Sequence, residues 1–307
     1  MEILVTGGAG FIGSNLVFAL VEKGHEVTVA DNLISGNMKN LDGFGGEFIE
    51  GDVSAPEVIG KLRDRKFDVI FHEAAITDTT FSDDGEMLRA NVEGYKNIVC
   101  LAAKHRAALV YASSAATYGR GSSPMREDQK PEPLNAYAVS KKMMDDITKE
   151  ELKSGVLSII GLRYFNVYGP RETFKGNSAS MIYQLYLVMK AGSRPRIFKY
   201  GEQERDFVYV KDVVAANIKA MEKALNRESG IFNVGTGRSE SFNKVVRELN
   251  RNLGTDYASE YFDNPYGFYQ NVTQADMKQS NLMLGFEAEY DVEKGIADYV
   301  KFLREFG

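Results

Sequence analysis

Cysteine is nearly absent from this chain: Cys100 is the only one among 307 residues. A lone thiol cannot build a disulfide framework, so the fold must be held by its core. Cys100 lies in the apolar run 98–103 and is expected to be a small buried hydrophobe rather than a reactive nucleophile. Histidine is scarce too, with only His25, His72 and His105. Three imidazoles and one thiol argue against a zinc centre, and no metal is expected. No stretch reaches 18 uncharged apolar residues, and the chain opens on a strand pattern rather than a basic region with an apolar core. A membrane partner is therefore not expected, and the cytoplasm is the expected location. Nor is there a dense Lys/Arg cluster: 37 basic and 43 acidic residues leave a net charge of -6, which disfavours a nucleic-acid partner.

What is present is enough apolar residue, 44%, to bury one large sheet. Short apolar runs at 2–6, 27–30, 48–50, 69–72 and 108–112 alternate with helical patterns at 13–23, 56–65 and 87–105. Strands apolar on both faces, separated by helices, predict an α/β fold with a doubly wound parallel sheet. A helix over 137–153 and a strand over 158–162 continue the pattern. Beyond residue 164 it loosens, with helices expected at 178–190 and 241–253 and loops rich in Gly, Asn, Arg and Pro.

Between the first strand and the first helix lies Thr6-Gly7-Gly8-Ala9-Gly10-Phe11-Ile12-Gly13. Glycines there permit a tight turn and let backbone approach a pyrophosphate at the helix N-terminus. The spacing is Gly7-x-x-Gly10-x-x-Gly13, and its position, with Asp31 ending the second strand, points to a dinucleotide site. Asp31 could accept hydrogen bonds from an adenosine ribose, which suits NAD, whereas Lys39, following Asn32, could tolerate the 2′-phosphate of NADP. Asp52 is placed either at the adenine edge or in a surface turn. The expected division is a dinucleotide-binding Rossmann-like domain over 1–165 and a smaller substrate lobe over 166–307, interwoven with the sheet.

Tyr137 and Lys141 stand four residues apart on one helical face. A free phenol titrates near ~10, so a neighbouring ammonium and a cationic nicotinamide would both favour the phenolate and make Tyr137 a useful base. Ser113 and Ser114 end the 108–112 strand run, at the sheet edge where open parallel sheets bind ligands. A serine there, Ser114, can orient a reacting hydroxyl. Glycine loop, strand-end serine and Tyr/Lys helix follow in an order that unrelated residues would rarely produce together.

At these residues the chain resembles the nucleotide-sugar epimerases and dehydratases of the extended short-chain dehydrogenase/reductase family. Segments 71–80, 163–172, 175–180, 205–210, 231–242 and 269–276 extend the likeness over nearly the whole chain, and 175–180 and 269–276 are most similar to the branch that inverts C6 of ADP-linked heptoses. The resemblance implies that Gly7, Gly10, Phe11, Ile12, Gly13, Asp31, Asn32, Glu73, Ala74, Ala75, Ile76, Thr77, Asn91 and Val167 line the cofactor. It implies Tyr137 and Lys175 as two acid/base groups, and Asn166, Asn177, Gln184, Phe198, Arg205 and Tyr269 around the sugar nucleotide. Asn177 stands where a serine is usual and Gln184 where a histidine is usual. The stretch 31–37 looks more like that of NAD-using UDP-sugar 4-epimerases, and the cofactor expected is tightly bound NADP, with NAD open.

The residue chemistry agrees with this assignment. Arg205 can grip a diphosphate bidentately, and Phe198 and Tyr269 can stack on or hydrogen-bond the substrate. Epimerisation through a ketone needs hydride removed from one face and returned to the other. If the carbon is exocyclic, rotation about one bond exposes the second face, and a loop lysine, Lys175, could serve it. A ring 4-epimerase needs only its tyrosine, and that alternative stays open. A 4,6-dehydratase would need an acid pair where Ala115 and Ala116 stand. A catalytically silent dinucleotide-binding protein would have no need of Tyr137, Lys141 and Ser114 together. The resemblance also implies a homo-oligomer.

Overall fold

The computed structural model describes residues 1–78, 81–264 and 270–306. Its first half runs β1 (Glu2–Thr6), α1 (Phe11–Glu22), β2 (Glu26–Asp31), β3 (Glu47–Glu50), α2 (Pro56–Arg63), β4 (Val69–His72), α3 (Asp84–His105), β5 (Ala108–Ser114), α4 (Ala136–Ser154) and β6 (Ile159–Tyr164). The second half runs β7 (Asn166–Tyr168), α5 (Met181–Lys190), β8 (Arg196–Phe198), β9 (Glu204–Arg205), β10 (Phe207–Tyr209), α6 (Val210–Leu225), β11 (Gly230–Val234), β12 (Glu240–Ser241), α7 (Phe242–Leu253), β13 (Glu260–Phe262), β14 (Val272–Thr273) and α8 (Val292–Phe306).

Seven strands form one parallel sheet in the order β11-β6-β5-β4-β1-β2-β3. The doubly wound sheet expected from the alternating runs is the one observed. Side chains alternate between its faces, as period-2 geometry requires. Ile3, Val5, Val69, Phe71 and Val110 pack with Leu16, Val17 and Leu20 of α1 and Val213 and Ala220 of α6. Leu4, Ile70, Leu109 and Tyr111 pack on the other face with Val58 and Leu62 of α2, Tyr95 and Ile98 of α3 and Met144 of α4. Each fully buried aliphatic side chain contributes roughly 1.5–3 kcal/mol.

The chain winds outward from β1 through β2 to β3, returns to β4, and winds the other way. A crevice therefore opens at the C-terminal ends of β1 and β4, where the winding reverses. The loops that follow β1, β2, β4, β5 and β6 all meet there.

Two features of the second half were not legible as elements. β11 returns from the C-terminal half to pair with β6, and α6 packs on the sheet beside α1. The remaining strands form small ribbons: β10 with β7, β12-β9-β14, and β13 with β8. A separate core beneath them joins α5, α7 and α8 through Ile182, Leu185, Val245, Leu249, Ile296 and Tyr299.

Cys100 is exposed, contrary to the expectation of burial. Ile98, Val99, Leu101 and Ala102 turn inward, and at about 100° per residue position 100 falls on the outer face of α3. No helix of the described residues is long and apolar enough to cross a membrane.

Candidate active site

A cleft of about 540 Å³ fills the crevice, lined from the glycine loop to Ser178. Its first wall is the β1–α1 turn. Gly7 has φ +69, and a Cβ there would stand 2.5 Å from Ala74 N; a Cβ on Gly13 would stand 2.2 Å from Gly7 O. Both glycines are needed for backbone to approach backbone. α1 starts at Gly10 with no side-chain cap, so its first-turn N–H groups are left to a ligand. Gly7, Gly10, Phe11, Ile12 and Gly13 all line the cleft, as the glycine pattern led one to expect, and this cradle fits a dinucleotide pyrophosphate.

Asp31, at the end of β2, is buried. Its Oδ2 accepts from Ala9 N at 2.9 Å and its Oδ1 from Leu33 N at 2.8 Å, and burial pushes its carboxyl up against these two bonds. Asn32 and Asp52 join it on the cleft wall, with Asp52 Oδ1 accepting from Ser54 N at 2.7 Å. Lys39 does not join them. It sits exposed in the short turn Met38–Leu41, outside the cleft lining, because Asn37 N and Asn40 Nδ2 tie that turn back to Ala9 O.

Glu73, Ala74, Ala75, Ile76 and Thr77 form the wall beyond β4. Asn91 stands behind it instead of facing the cleft: buried on α3, it accepts from Ile76 N at 2.8 Å and donates to Ile76 O at 3.1 Å. Its Nδ2 also donates to Ser140 Oγ at 3.0 Å, joining this wall to α4.

The reaction end is built from β5 and α4. Asn135 caps α4 by accepting from Ala138 N at 2.8 Å, which sets Tyr137 in the first turn and Lys141 one turn later. Ser114 closes β5 beside Tyr137, with its Oγ accepting from Ala116 N at 3.1 Å. Lys141 is 1% exposed and donates from Nζ to Ala112 O at 2.7 Å. Burial pulls its pKa down to about 8, although Glu73 and Asp145 favour the ammonium. Tyr137 departs from the expected direction. Burial pushes it above its ordinary value, the neighbouring Ser114 hydroxyl works the other way, and Glu73 adds to the rise. The Lys141 ammonium lies 6.0 Å from the Tyr137 ring centroid, too far and too occupied with Ala112 to reverse the effect of burial.

Lys175 enters from the opposite side of the sheet. It lies in the turn Thr173–Ser178, half-buried, with Nζ 5.5 Å from the ring centroid of Phe11 at the start of α1. Burial lowers its pKa, and Glu172 partly offsets the shift. Glu172 escaped the sequence reading. Fully buried, it accepts from Gly169 N at 3.0 Å, Ser180 N at 2.6 Å and Ser180 Oγ at 2.9 Å, clasping the ends of the loop that presents Lys175. Only its place three residues before Lys175, in a loop otherwise rich in Gly and Asn, hinted at it. Ser178 and Tyr164, to which the sequence pattern gives no role, both line the cleft.

Val167 lines the cleft, but Asn166, Asn177, Gln184, Phe198 and Arg205, expected around the sugar nucleotide, are not among its described lining residues. Asn166 donates from Nδ2 to Asp206 O at 3.1 Å, which ties it to the strand step beside Arg205. Arg205 itself donates from Nη1 to Glu204 O at 2.7 Å in β9. Phe198 packs edge-on against Phe262, centroids 4.9 Å apart, in the β8–β13 ribbon. Asn177 is exposed, and Gln184 donates from Nε2 to Asn177 O at 3.2 Å and Ala179 O at 2.7 Å, so this pair braces the Lys175 loop. Tyr269 lies outside the described residues.

Comparison with known proteins follows this geometry. The profile of the NAD dependent epimerase/dehydratase family matches residues 3–235. The ADP-L-glycero-D-manno-heptose-6-epimerase of Brachyspira hyodysenteriae is 38% identical over 99% of this chain and 98% of its own. The crystal structure of the Helicobacter pylori ADP-L-glycero-D-manno-heptose-6-epimerase is 39% identical, with a TM-score of 0.92 over 99% of this chain and 96% of that one. The UDP-glucose 4-epimerase of Thermotoga maritima, solved with UDP-glucose, is 31% identical, with a TM-score of 0.91 over 99% of each chain.

Proposed function

This chain belongs to the NAD dependent epimerase/dehydratase family, and from that premise we propose that it is a nucleotide-sugar epimerase that inverts C6 of ADP-D-glycero-D-manno-heptose. The observation that carries the reading is Lys175. It shares one cleft with Tyr137 but approaches over α1, whereas Tyr137 comes from α4 on the other face of the sheet. Two proton-handling groups from opposite sides suit a ketone that turns over between two half-reactions.

Bound NAD supplies reversible hydride transfer. Tyr137 takes the proton of the reacting hydroxyl, which Ser114 orients as the carbon loses hydride and becomes a ketone. Lys141 holds the ribose side of the reaction end and, as an ammonium, favours the Tyr137 phenolate. On the second face of the ketone Lys175 would donate the proton to the alkoxide, and Tyr137 and Lys175 would return to their starting states by proton exchange with solvent. The lowered pKa of Lys175 suits a group that must both give and take a proton near neutral pH. Arg205, Asn166, Phe198 and Tyr269, in the lobe that follows residue 165, are assigned to the nucleotide and sugar.

NAD is favoured over NADP. A carboxylate at Asp31 on the cleft wall would repel a 2′-phosphate, and a Cβ on Gly36 would lie 2.8 Å from Asp31 Oδ1, which supports NAD. Lys141 and Lys175 are the cations among the described lining residues, and both belong to the reaction end.

A second reading, a UDP-hexose 4-epimerase, has support in the Thermotoga structure. Incubation of the purified protein with each sugar nucleotide, without added cofactor and with products resolved by NMR, separates the two. Conversion of the ADP-heptose, abolished in Tyr137→Phe, is the expected result. Turnover of UDP-galactose with the heptose untouched would overturn the assignment.

A further inference from the structure

One carboxyl in the cleft has no part in the proton transfers above. Glu73 follows β4 directly, its backbone fixed by Glu73 N donating to Thr6 O at 3.1 Å. Its Oε1 accepts from the Tyr164 hydroxyl at 2.9 Å, and that hydroxyl accepts in turn from Asn217 Nδ2 at 2.8 Å. Asn217 is anchored on α6 through Nδ2 to Val213 O at 2.9 Å. Three elements thus converge to hold one carboxylate beside Ser114, Tyr137 and Lys141 at the reaction end. Lys141, the cation whose field reaches it, spends its Nζ on Ala112 O, so the charge of Glu73 is not consumed by a direct ion pair there.

We propose that Glu73 is the counter-charge of the oxidised nicotinamide ring, a positioning residue that favours the bound cofactor in its cationic form. The proposal rests on the preceding reading that Tyr137 and Lys141 flank a nicotinamide. Two ammoniums, Lys141 and Lys175, share that end of the cleft, and their field alone favours the reduced ring, which has lost its positive charge. An epimerase returns its hydride every turnover. If the ketone escapes, the reduced cofactor left behind is a dead end, and a fixed carboxylate disfavours that state.

The proposal has a pH signature. Burial pushes the Glu73 carboxyl up to about 7, against the bond from Tyr164 and the field of Lys141. The groups facing it are Tyr164 on β6 and Tyr137 and Lys141 on α4, with Asp145 acting on Lys141 one turn on. Next to it at the end of β4 is His72, a neutral imidazole bonded to Thr6, and Lys175 lies across the cleft. α6 offers only the neutral Asn217, and the β1–α1 turn offers no ionisable group. The counter-charge is therefore present about one unit above neutrality and removed about one unit below it.

The test is the position of the bound couple. Wild type, Glu73→Gln and Glu73→Asp, each loaded with NAD, are equilibrated with a redox dye, and the reduced fraction is read from the near-ultraviolet band of the dihydronicotinamide. At mildly alkaline pH, Glu73→Gln is expected to raise the reduced-to-oxidised ratio about tenfold, equal to ~30 mV for a two-electron couple. In mildly acidic solution the two proteins converge, and Glu73→Asp, which keeps the charge, returns most of the difference. Equal ratios in wild type and Glu73→Gln at both pH values would overturn the proposal. So would a Glu73→Asp protein that behaves like Glu73→Gln, because packing and not charge would then be at work. Failure of the wild type to bind NAD would instead bring down the reading on which the proposal rests.

Discussion

Lys141 owes its chemistry to where one turn of helix puts it. Its ammonium is buried against β5, which brings its pKa down to about 8, while Glu73 and Asp145 keep it from falling further. As pH rises through that value the ammonium loses its proton, and the reaction end loses the charge proposed to hold the ribose side. Turnover is therefore expected to decline above about pH 8, and a profile of kcat flat to strongly alkaline pH would contradict this. Tyr137, Lys141 and Ser114 were legible because a helix and a strand end fix their spacing. Lys39 misled, since a basic residue close in sequence to Asp31 need not face the same space: two bonds to Ala9 O turn it away. Glu172 went unassigned, and Glu73 was expected only as part of the cofactor wall, because what makes them matter is burial and partners, and neither is written in local sequence.

At the scale of elements, α4 has to be held in register with the sheet for Tyr137 to meet Ser114. Arg163 of β6 does this. It is 1% exposed, donates from Nε to Asp145 Oδ2 at 2.9 Å and from Nη1 to the Tyr118 hydroxyl at 2.9 Å, and Tyr111 of β5 donates to Asp145 Oδ1 at 2.9 Å. Removing one member of a buried pair leaves the other charge uncompensated, typically at a cost of ~3–5 kcal/mol. Asp145→Ala is accordingly expected to lower the unfolding free energy in urea by ~3 kcal/mol or more; a loss below ~1 kcal/mol would show that α4 does not depend on this anchor. The strands and helices of the first half were readable from apolar period alone, because β4 and β6 are buried on both faces. The two- and three-residue strands of the second half carry too few residues to show a period, and β11 is recognisable only once β6 offers it an edge.

At the scale of the whole molecule, the parallel winding gathers the loops after β1, β2, β4, β5 and β6 into one cleft, and the second half lays its loop from Gly169 to Ser180 across it. That architecture was legible as a class. The side chains of the second half were not, because Asn166, Arg205 and Phe198 sit on ribbons whose pairing depends on the completed fold. The cofactor preference belongs to this scale, since a ligand that binds only the folded state stabilises it by mass action, ~2.7 kcal/mol at a hundredfold excess over Kd. Thermal denaturation of cofactor-stripped protein should show a clear rise in Tm with NAD and a smaller one with NADP at equal concentration. An equal or larger rise with NADP would contradict the part given to Asp31.

The central claim is that two groups on opposite sides of one cleft divide the proton transfers, and Lys175→Met tests it most directly. With ADP-D-glycero-D-manno-heptose as substrate, kcat is expected to fall by ~10²–10⁴, the usual range for loss of a general acid or base, while NAD remains bound. A Lys175→Met enzyme that epimerises the heptose at the wild-type rate would contradict the account and leave Tyr137 serving both faces alone.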